Sequence, residues 1–128
     1  MMPRFRPALA LTILAGLAPA ALTAQDPDFT YHKALTAGQT VEIRGVNGII
    51  DAQPASGGTL EVTAVKREHR HGDAADVTIQ AVEWNGGVTI CAVYPNPSRS
   101  RRENRCGHGD DYQMSTNEND VEVRFTVK

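Results

Sequence analysis

Two cysteines are the residues whose chemistry this sequence specifies most directly. Cys91 and Cys106 form an even set, which in an exported protein is typical of a disulfide. No CxxC spacing and no second cysteine cluster points to a metal site or a reactive thiol pair instead. We therefore predict a Cys91–Cys106 disulfide, which closes a loop of about 15 residues and stabilises the fold by ~3 kcal/mol.

Histidines offer a candidate site for a transition metal. His69 and His71 are separated by one residue at the end of a predicted strand, so their side chains can lie on one face. Such a pair suits Zn²⁺ or Cu²⁺, with His108 as a third ligand. Histidines at a polar strand end also occur without a metal, and nothing in the sequence brings His108 near the pair.

Oxygen-bearing side chains form a second candidate metal site, of the hard character that Ca²⁺ prefers. They are Asp110, Asp111, Asn117, Glu118, Asn119 and Asp120. Their spacing does not match an EF-hand loop, and turns rich in Asn and Asp are common without a metal. Asp110 and Asp111 are the candidate ligands, and an ordinary polar turn is the alternative.

Four arginines close together could bind an anionic polysaccharide or a lipid headgroup through charge and bidentate hydrogen bonds. They are Arg99, Arg101, Arg102 and Arg105. The alternative is that Glu103 and the acidic residues that follow neutralise this run, which is then only a solvated surface. Trp84, the only tryptophan, could stack against a sugar or cover a small core.

No pattern in the sequence predicts catalysis. GxSxG and HExxH motifs and phosphate-binding glycine loops are absent from the sequence, and both cysteines are expected to be bonded. Among the 15 Asp and Glu residues, no spacing singles out a carboxylate pair for glycoside hydrolysis. We expect a protein that is not an enzyme and uses no cofactor. A polysaccharide-active enzyme is the less favoured alternative.

The first 24 residues predict export. Arg4 and Arg6 precede an apolar stretch that ends in small residues, the pattern of a secretory signal peptide cleaved after Ala24 or, less favourably, Ala20. The apolar stretch is too short and broken to span a membrane. Removal of both arginines leaves 11 of the 13 basic residues against 15 acidic ones, a net charge of about −4. That balance argues against nucleic acid as a partner.

Period-two alternation of apolar and polar residues predicts β-strands over 41–44, 60–64, 77–81, 88–94 and 121–128. Strand 88–94 is apolar at nearly every position, so we expect both of its faces to be buried. Asn47-Gly48 predicts a hairpin between 41–46 and 49–52. Reversals are predicted at 56–58 and 85–87. Residues 95–120 lack alternation and form a long loop, which is either functional or a solvated insertion.

These elements predict a signal peptide over 1–24 and one all-β domain over 25–128. The expected architecture is an antiparallel sandwich-like stack of about six to eight strands, with the first layers of a β-solenoid as the alternative. Residues 41–50 (VEIRGVNGII) and 60–66 (LEVTAVK), joined by a glycine-containing turn, resemble the start of the bacterial putative-adhesin family with GIN-like head domains. The resemblance implies an exported protein of stacked strands with no established catalytic residues.

We therefore expect a non-catalytic domain that binds or scaffolds at the cell envelope, in the periplasm or at the cell surface. Its partner would be a cell-envelope or extracellular protein or polysaccharide. The alternative is a structural layer of a larger β-stack that associates through its last strand, 121–128. In that case a charged substitution at Val123 or Phe125 should disrupt self-association.

Overall fold

The computed structural model describes residues 25–128, so the predicted signal peptide lies outside the described residues. Seven strands form the fold: β1 (Phe29–Ala34), β2 (Thr40–Arg44), β3 (Ile50–Ala52), β4 (Thr59–Arg67), β5 (Thr78–Trp84), β6 (Gly87–Val93) and β7 (Glu122–Val127). Single-turn 3₁₀ helices occur at Ala74–Asp76 and Gly109–Asp111. Within residues 25–128, no helix is long and apolar enough to cross a membrane. The all-β prediction is confirmed, and the strand count falls within the expected range.

The strands form two sheets, of order β1-β4-β7-β3 and β2-β6-β5. Pairs β1–β4, β4–β7 and β5–β6 are antiparallel. Pairs β2–β6 and β3–β7 are parallel, so the sheets are mixed and not antiparallel throughout as predicted. The connection from β2 to β3 crosses from one sheet to the other. Each of the two strands therefore pairs with a strand distant in sequence, β2 with β6 and β3 with β7.

The apolar core is shared by the two sheets. In β4 and β7, alternate residues point into it, and Val62, Val123 and Phe125 are at most 1% exposed. Ile90 of β6 enters from the other sheet and is fully buried. β-Branched residues supply most of these positions, as a pleated and half-buried surface favours.

The hairpin predicted at Asn47-Gly48 is wrong, because β2 and β3 belong to different sheets. Here the Asn-Gly pair lies where the chain crosses between the sheets, in contact with β7. The Val123 N–H donates to the Asn47 carbonyl at 2.8 Å. Gly48 has φ +129°, and a side chain there would overlap the Val123 carbonyl. Close approach to a neighbouring strand therefore requires this glycine.

The last strand is not an open edge. β7 lies between β4 and β3 and is hydrogen-bonded to both, which leaves no free side for the self-association expected through residues 121–128. Val123 and Phe125 are core residues, so a charge at either position should unfold the domain and would not test association. The edges of this sheet are β1 and the three-residue β3.

Strand β1 was not predicted, whereas the reversal predicted at 85–87 is confirmed and joins β5 to β6. Gly87 opposes Trp84 across the β5–β6 turn, as the Asn-Gly signal indicates. In β1 the inward series Phe29, Tyr31, Lys33 ends in a charge, which hides the alternation. Lys33 is accommodated because its ammonium group reaches Glu83 of β5 at 2.8 Å, so its stem lies along the sheet and its charge is paired.

Candidate functional site

The long segment of residues 95–120, called here the covering loop, lies over the outer face of the three-stranded sheet. A disulfide joins Cys106 of the loop to Cys91 of β6, with Cα atoms 5.6 Å apart, as predicted. Every residue of β6 except Val93 is buried. The core covers one face of the strand and the loop covers the other, which confirms the expectation that both faces are buried.

The covering loop is held by its own hydrogen bonds. The Asn104 side chain donates to the carbonyls of Tyr94 at 3.0 Å and Ser115 at 2.8 Å, and it accepts the Ser115 N–H at 2.7 Å. Met114 packs against the core. The buried Tyr94 hydroxyl donates to the Val121 carbonyl at 2.6 Å where the loop returns to the sheet. These contacts anchor the middle and the end of the segment to the domain, whereas residues 98–103 are exposed.

A polar network lies between the loop and the sheet. The Thr89 hydroxyl, on fully buried Thr89, donates to Glu42 Oε2 at 2.7 Å and accepts from Trp84 Nε1 at 3.2 Å. His108 Nδ1 lies 2.8 Å from the same Glu42 oxygen. The hydrogen bonds from His108 and then Thr89 hold the pKa of Glu42 below its usual range. The network therefore fixes an ionised carboxylate beneath the loop.

Aromatic contacts add to this network. The imidazole of His108 stacks on the indole of Trp84, with ring centroids 3.7 Å apart and planes 11° from parallel. The Arg44 guanidinium lies over the Tyr112 ring, 4.9 Å from its centroid, at a distance typical of a cation–π contact. Burial raises the pKa of Tyr112, so its hydroxyl remains protonated at neutral pH. The segment 108–112 is thereby fastened to the sheet at both ends.

That fastened segment forms one wall of a cleft of about 540 Å³. The opposite wall comes from the basic part of the loop. Arg105 is held in place, because its Nε donates to the Asp111 carbonyl at 2.9 Å and its backbone pairs with Gln113. The charged and aromatic residues that line the cleft are Arg101, Arg102, Glu103, Arg105, Asp110 and Tyr112.

Within residues 25–128, the side chains of the other two arginines of the cleft, Arg101 and Arg102, form no ion pair. The ion pairs within residues 25–128 involve other cations, so neither Arg101 nor Arg102 is neutralised by Glu103 or Asp110. Three guanidinium and two carboxylate groups give the cleft a charge of about +1 on a domain whose net charge is negative. The cleft is thus a local positive site with free hydrogen-bond donors.

No protein-family model, no curated protein and no solved structure matches this chain. The resemblance to the putative-adhesin family therefore remains a prediction. The chemistry of the site must be inferred from its own residues.

The structure brings together only some of the predicted binding residues. Arg101, Arg102 and Arg105 share the cleft, whereas Arg99 lies in a separate depression beside Glu118. Trp84 is not part of the core cluster, and the ring face stacked on His108 is not available to a sugar. One ring face stacks on His108, and a side chain at Gly86 would overlap the indole. Trp84 instead links the sheet to the loop.

The predicted metal ligands are dispersed. His69 Nε2 lies 3.2 Å from Glu122, and the backbone N–H of His71 donates to Asp120 at 2.9 Å. His108 is engaged in the network on the other sheet. Asp110 and Asp111 lie in the 3₁₀ helix of the loop. Across residues 25–128, no three His, Cys, Asp or Glu side chains are grouped closely enough to hold a metal ion.

Sequence reasoning missed the residues beneath the loop. Glu42 and Arg44 read as ordinary solvent-facing charges of β2, and Thr89 as part of an apolar strand. One signal was available. A Cys91–Cys106 disulfide holds Cys106 against β6, so residue 108, two positions later, can reach Thr89 of β6 and Glu42, which is paired with Thr89 in β2. Tyr112 carried no comparable signal.

Proposed function

We propose that residues 25–128 form an exported, non-catalytic binding module of the cell envelope, which takes an anionic ligand in the cleft of the covering loop. The observation that carries the proposal is the pair Arg101 and Arg102, whose charges are uncommitted and which line a cleft in an ordered loop. Guanidinium groups form charge-assisted and often bidentate hydrogen bonds with carboxylates, sulfates and phosphates. The disulfide anchors the loop that carries them, so the ordering cost of binding falls mainly on the two side chains.

Several features support binding rather than catalysis. Both cysteines are bonded, and His108 is committed through Nδ1 to Glu42 and through one ring face to Trp84. Burial raises the pKa of Tyr112, so the phenolate form that could act as a base is not populated at neutral pH. Export is supported by the predicted signal peptide, by the family resemblance and by a disulfide, which is favoured in oxidising compartments.

A structural role in a larger β-stack is the second candidate, and one observation favours it. Val46, Ile49 and Ile50 are between 43% and 53% exposed. Ile50 lies on the edge strand β3, and Val46 and Ile49 lie in the segment that leads to it. An exposed apolar edge is suited to pairing with another strand. If this role were the main one, light scattering of the oxidised protein would show self-association that Ile50→Lys abolishes.

Binding to an anionic polysaccharide column tests the main proposal. Arg101→Ser combined with Arg102→Ser should weaken retention of the oxidised protein by about tenfold or more, since it removes two charge-assisted contacts. The matched control is Arg67→Ser combined with Arg70→Ser. It removes the same charge from exposed positions outside the cleft and should change retention little. Equal losses of retention in both double variants would mean that the column binds surface charge in general and not the cleft, which would contradict the proposal.

A further inference from the structure

The cleft contains both signs of charge, and the opposite charges do not pair with one another. Arg101 and Arg102 lie in the same cleft as Glu103 and Asp110, yet no ion pair within residues 25–128 joins them. Both carboxylates are on exposed residues. The cleft therefore offers a ligand two free guanidinium donors and two free carboxylate acceptors.

This combination discriminates between classes of anion. A ligand whose exposed groups are all sulfates or phosphates would place its negative charge near Glu103 and Asp110, where repulsion opposes binding. A ligand whose anionic groups are separated from one another by hydroxyl groups avoids that repulsion, because it can place one anion on the arginines and keep the next one away from the carboxylates. Its anion can bind the arginines while its hydroxyl groups donate to the carboxylates, which in their ionised form only accept hydrogen bonds.

The fixed parts of the cleft suit the same kind of ligand. Arg105 is held by the Asp111 carbonyl, so its remaining donors keep a set direction. The Tyr112 ring is held by Arg44 on one side, and its phenol both donates and accepts. Fixed planar donors beside an aromatic edge are adapted to a rigid ring that bears several hydroxyl groups, because less conformational entropy is lost on binding.

We infer that the ligand of this cleft is an acidic saccharide, in which a sugar carboxylate binds Arg101 and Arg102 and sugar hydroxyls bind Glu103 and Asp110. The inference rests on the proposed function and adds the ligand's class to it. According to this inference, Glu103 and Asp110 contribute to ligand binding. A general anion site would bind its ligand more tightly without these two carboxylates.

Isothermal titration of the oxidised protein with three probes tests this inference. The probes are an oligogalacturonate, which carries carboxylates and hydroxyls, a dextran sulfate and a neutral dextran. We expect the oligogalacturonate to bind most tightly. Glu103→Ala combined with Asp110→Ala should weaken its binding by about tenfold and strengthen the binding of dextran sulfate. The matched control, Asp26→Ala with Asp76→Ala, removes the same charge outside the cleft and should leave the preference unchanged.

The possible outcomes distinguish failure of the saccharide inference from failure of the proposed function. If dextran sulfate binds at least as tightly as the oligogalacturonate and the loss of Glu103 and Asp110 strengthens both, the cleft is a general anion site. The saccharide inference then fails and the proposed function stands. If neither anionic probe binds, or if binding is unaffected by Arg101→Ser with Arg102→Ser, the proposed function fails as well.

Discussion

The two sheets of this domain share one core but differ at their outer faces. In β7 of the four-stranded sheet, exposed Arg124 stands between buried Val123 and Phe125, so one face is dry and the other is open. In β6 of the three-stranded sheet, both inward Ile90 and outward Thr89 are fully buried. The covering loop supplies the difference, because it acts as a third layer on the smaller sheet alone.

An irregular segment can provide a candidate binding site when its ordering is compensated. Ordering a loop on an open sheet face costs conformational entropy. Here the disulfide, the Glu42–His108 hydrogen bond and the stacking of His108 on Trp84 offset that cost. Thr89, Glu42 and Trp84 Nε1 are hydrogen-bonded beneath the loop, whereas Arg44 Nε is buried without a hydrogen-bond partner among residues 25–128. The arginine-lined cleft occurs in this third layer, where the backbone is free of the sheet's geometry yet fixed in position.

The largest expected effect comes from cutting the loop's covalent anchor. Replacing Cys91 and Cys106 with alanine should lower the free energy of unfolding by ~3 kcal/mol, the value for a closed loop of about 15 residues. Denaturant titration measures the loss. Hydrogen exchange should locate it, with reduced protection in β6 and residues 95–120 before β4 and β7. Uniform loss of protection across both sheets would contradict the view of the loop as a separate layer.

A pair of threonines tests the buried network more finely. Thr89→Val leaves Trp84 Nε1 without its acceptor and removes one hydrogen bond from Glu42, so it should cost about 1–2 kcal/mol. Thr63 points outward at the equivalent central position of the other sheet, in β4, and Thr63→Val is the matched control. Because no loop covers Thr63, its replacement should change stability by less than about 0.5 kcal/mol. Similar effects at both positions would remove the distinction between the two outer faces.

The same contrast explains what the sequence could predict. Where one face of a strand is open, as in β4 and β7, alternation is visible. β7 was predicted nearly at its observed bounds, whereas β4 was predicted over 60–64 and continues to Arg67. Burial of β6 on both faces was also readable, because its outward positions are small or apolar. The Asn-Gly signal was correct at Asn85-Gly86 and wrong at Asn47-Gly48. A turn residue reports local backbone conformation and not which sheet the next strand joins.

The site was predictable only in part, for a physical reason. The disulfide and the arginine run depend on residue types and were found directly. The partners of His108 depend on which polar side chains the loop covers, and a covered Glu42 has the same local sequence pattern as an exposed one. Trp84 was singled out for its chemistry, but its stacking partner lies 24 positions along the chain. Long-range placement, rather than residue type, decided these roles.

The smallest expected effect compares two carboxylates, one on each sheet. The pKa of Glu42 is lowered from its usual 4.5 by hydrogen bonds from His108 and Thr89, and that of Glu122 by Arg124 and His69. The ionised form of each is therefore favoured by folding. The stability this contributes is fully present above about pH 4.5 and is lost as pH falls through the lower folded-state pKa.

Salt should separate the two carboxylates. The pair Glu122–Arg124 includes a half-exposed guanidinium, so its contribution should fall as salt screens the charges. Glu42 also accepts the hydroxyl of buried Thr89, a hydrogen bond that salt does not screen. Acid unfolding of Glu42→Gln and Glu122→Gln, each compared with wild type at low and high salt, measures this. The difference for Glu42 should persist at high salt, because part of it arises beneath the covering loop. If both differences vanish together, the loop does not shelter that carboxylate from solvent.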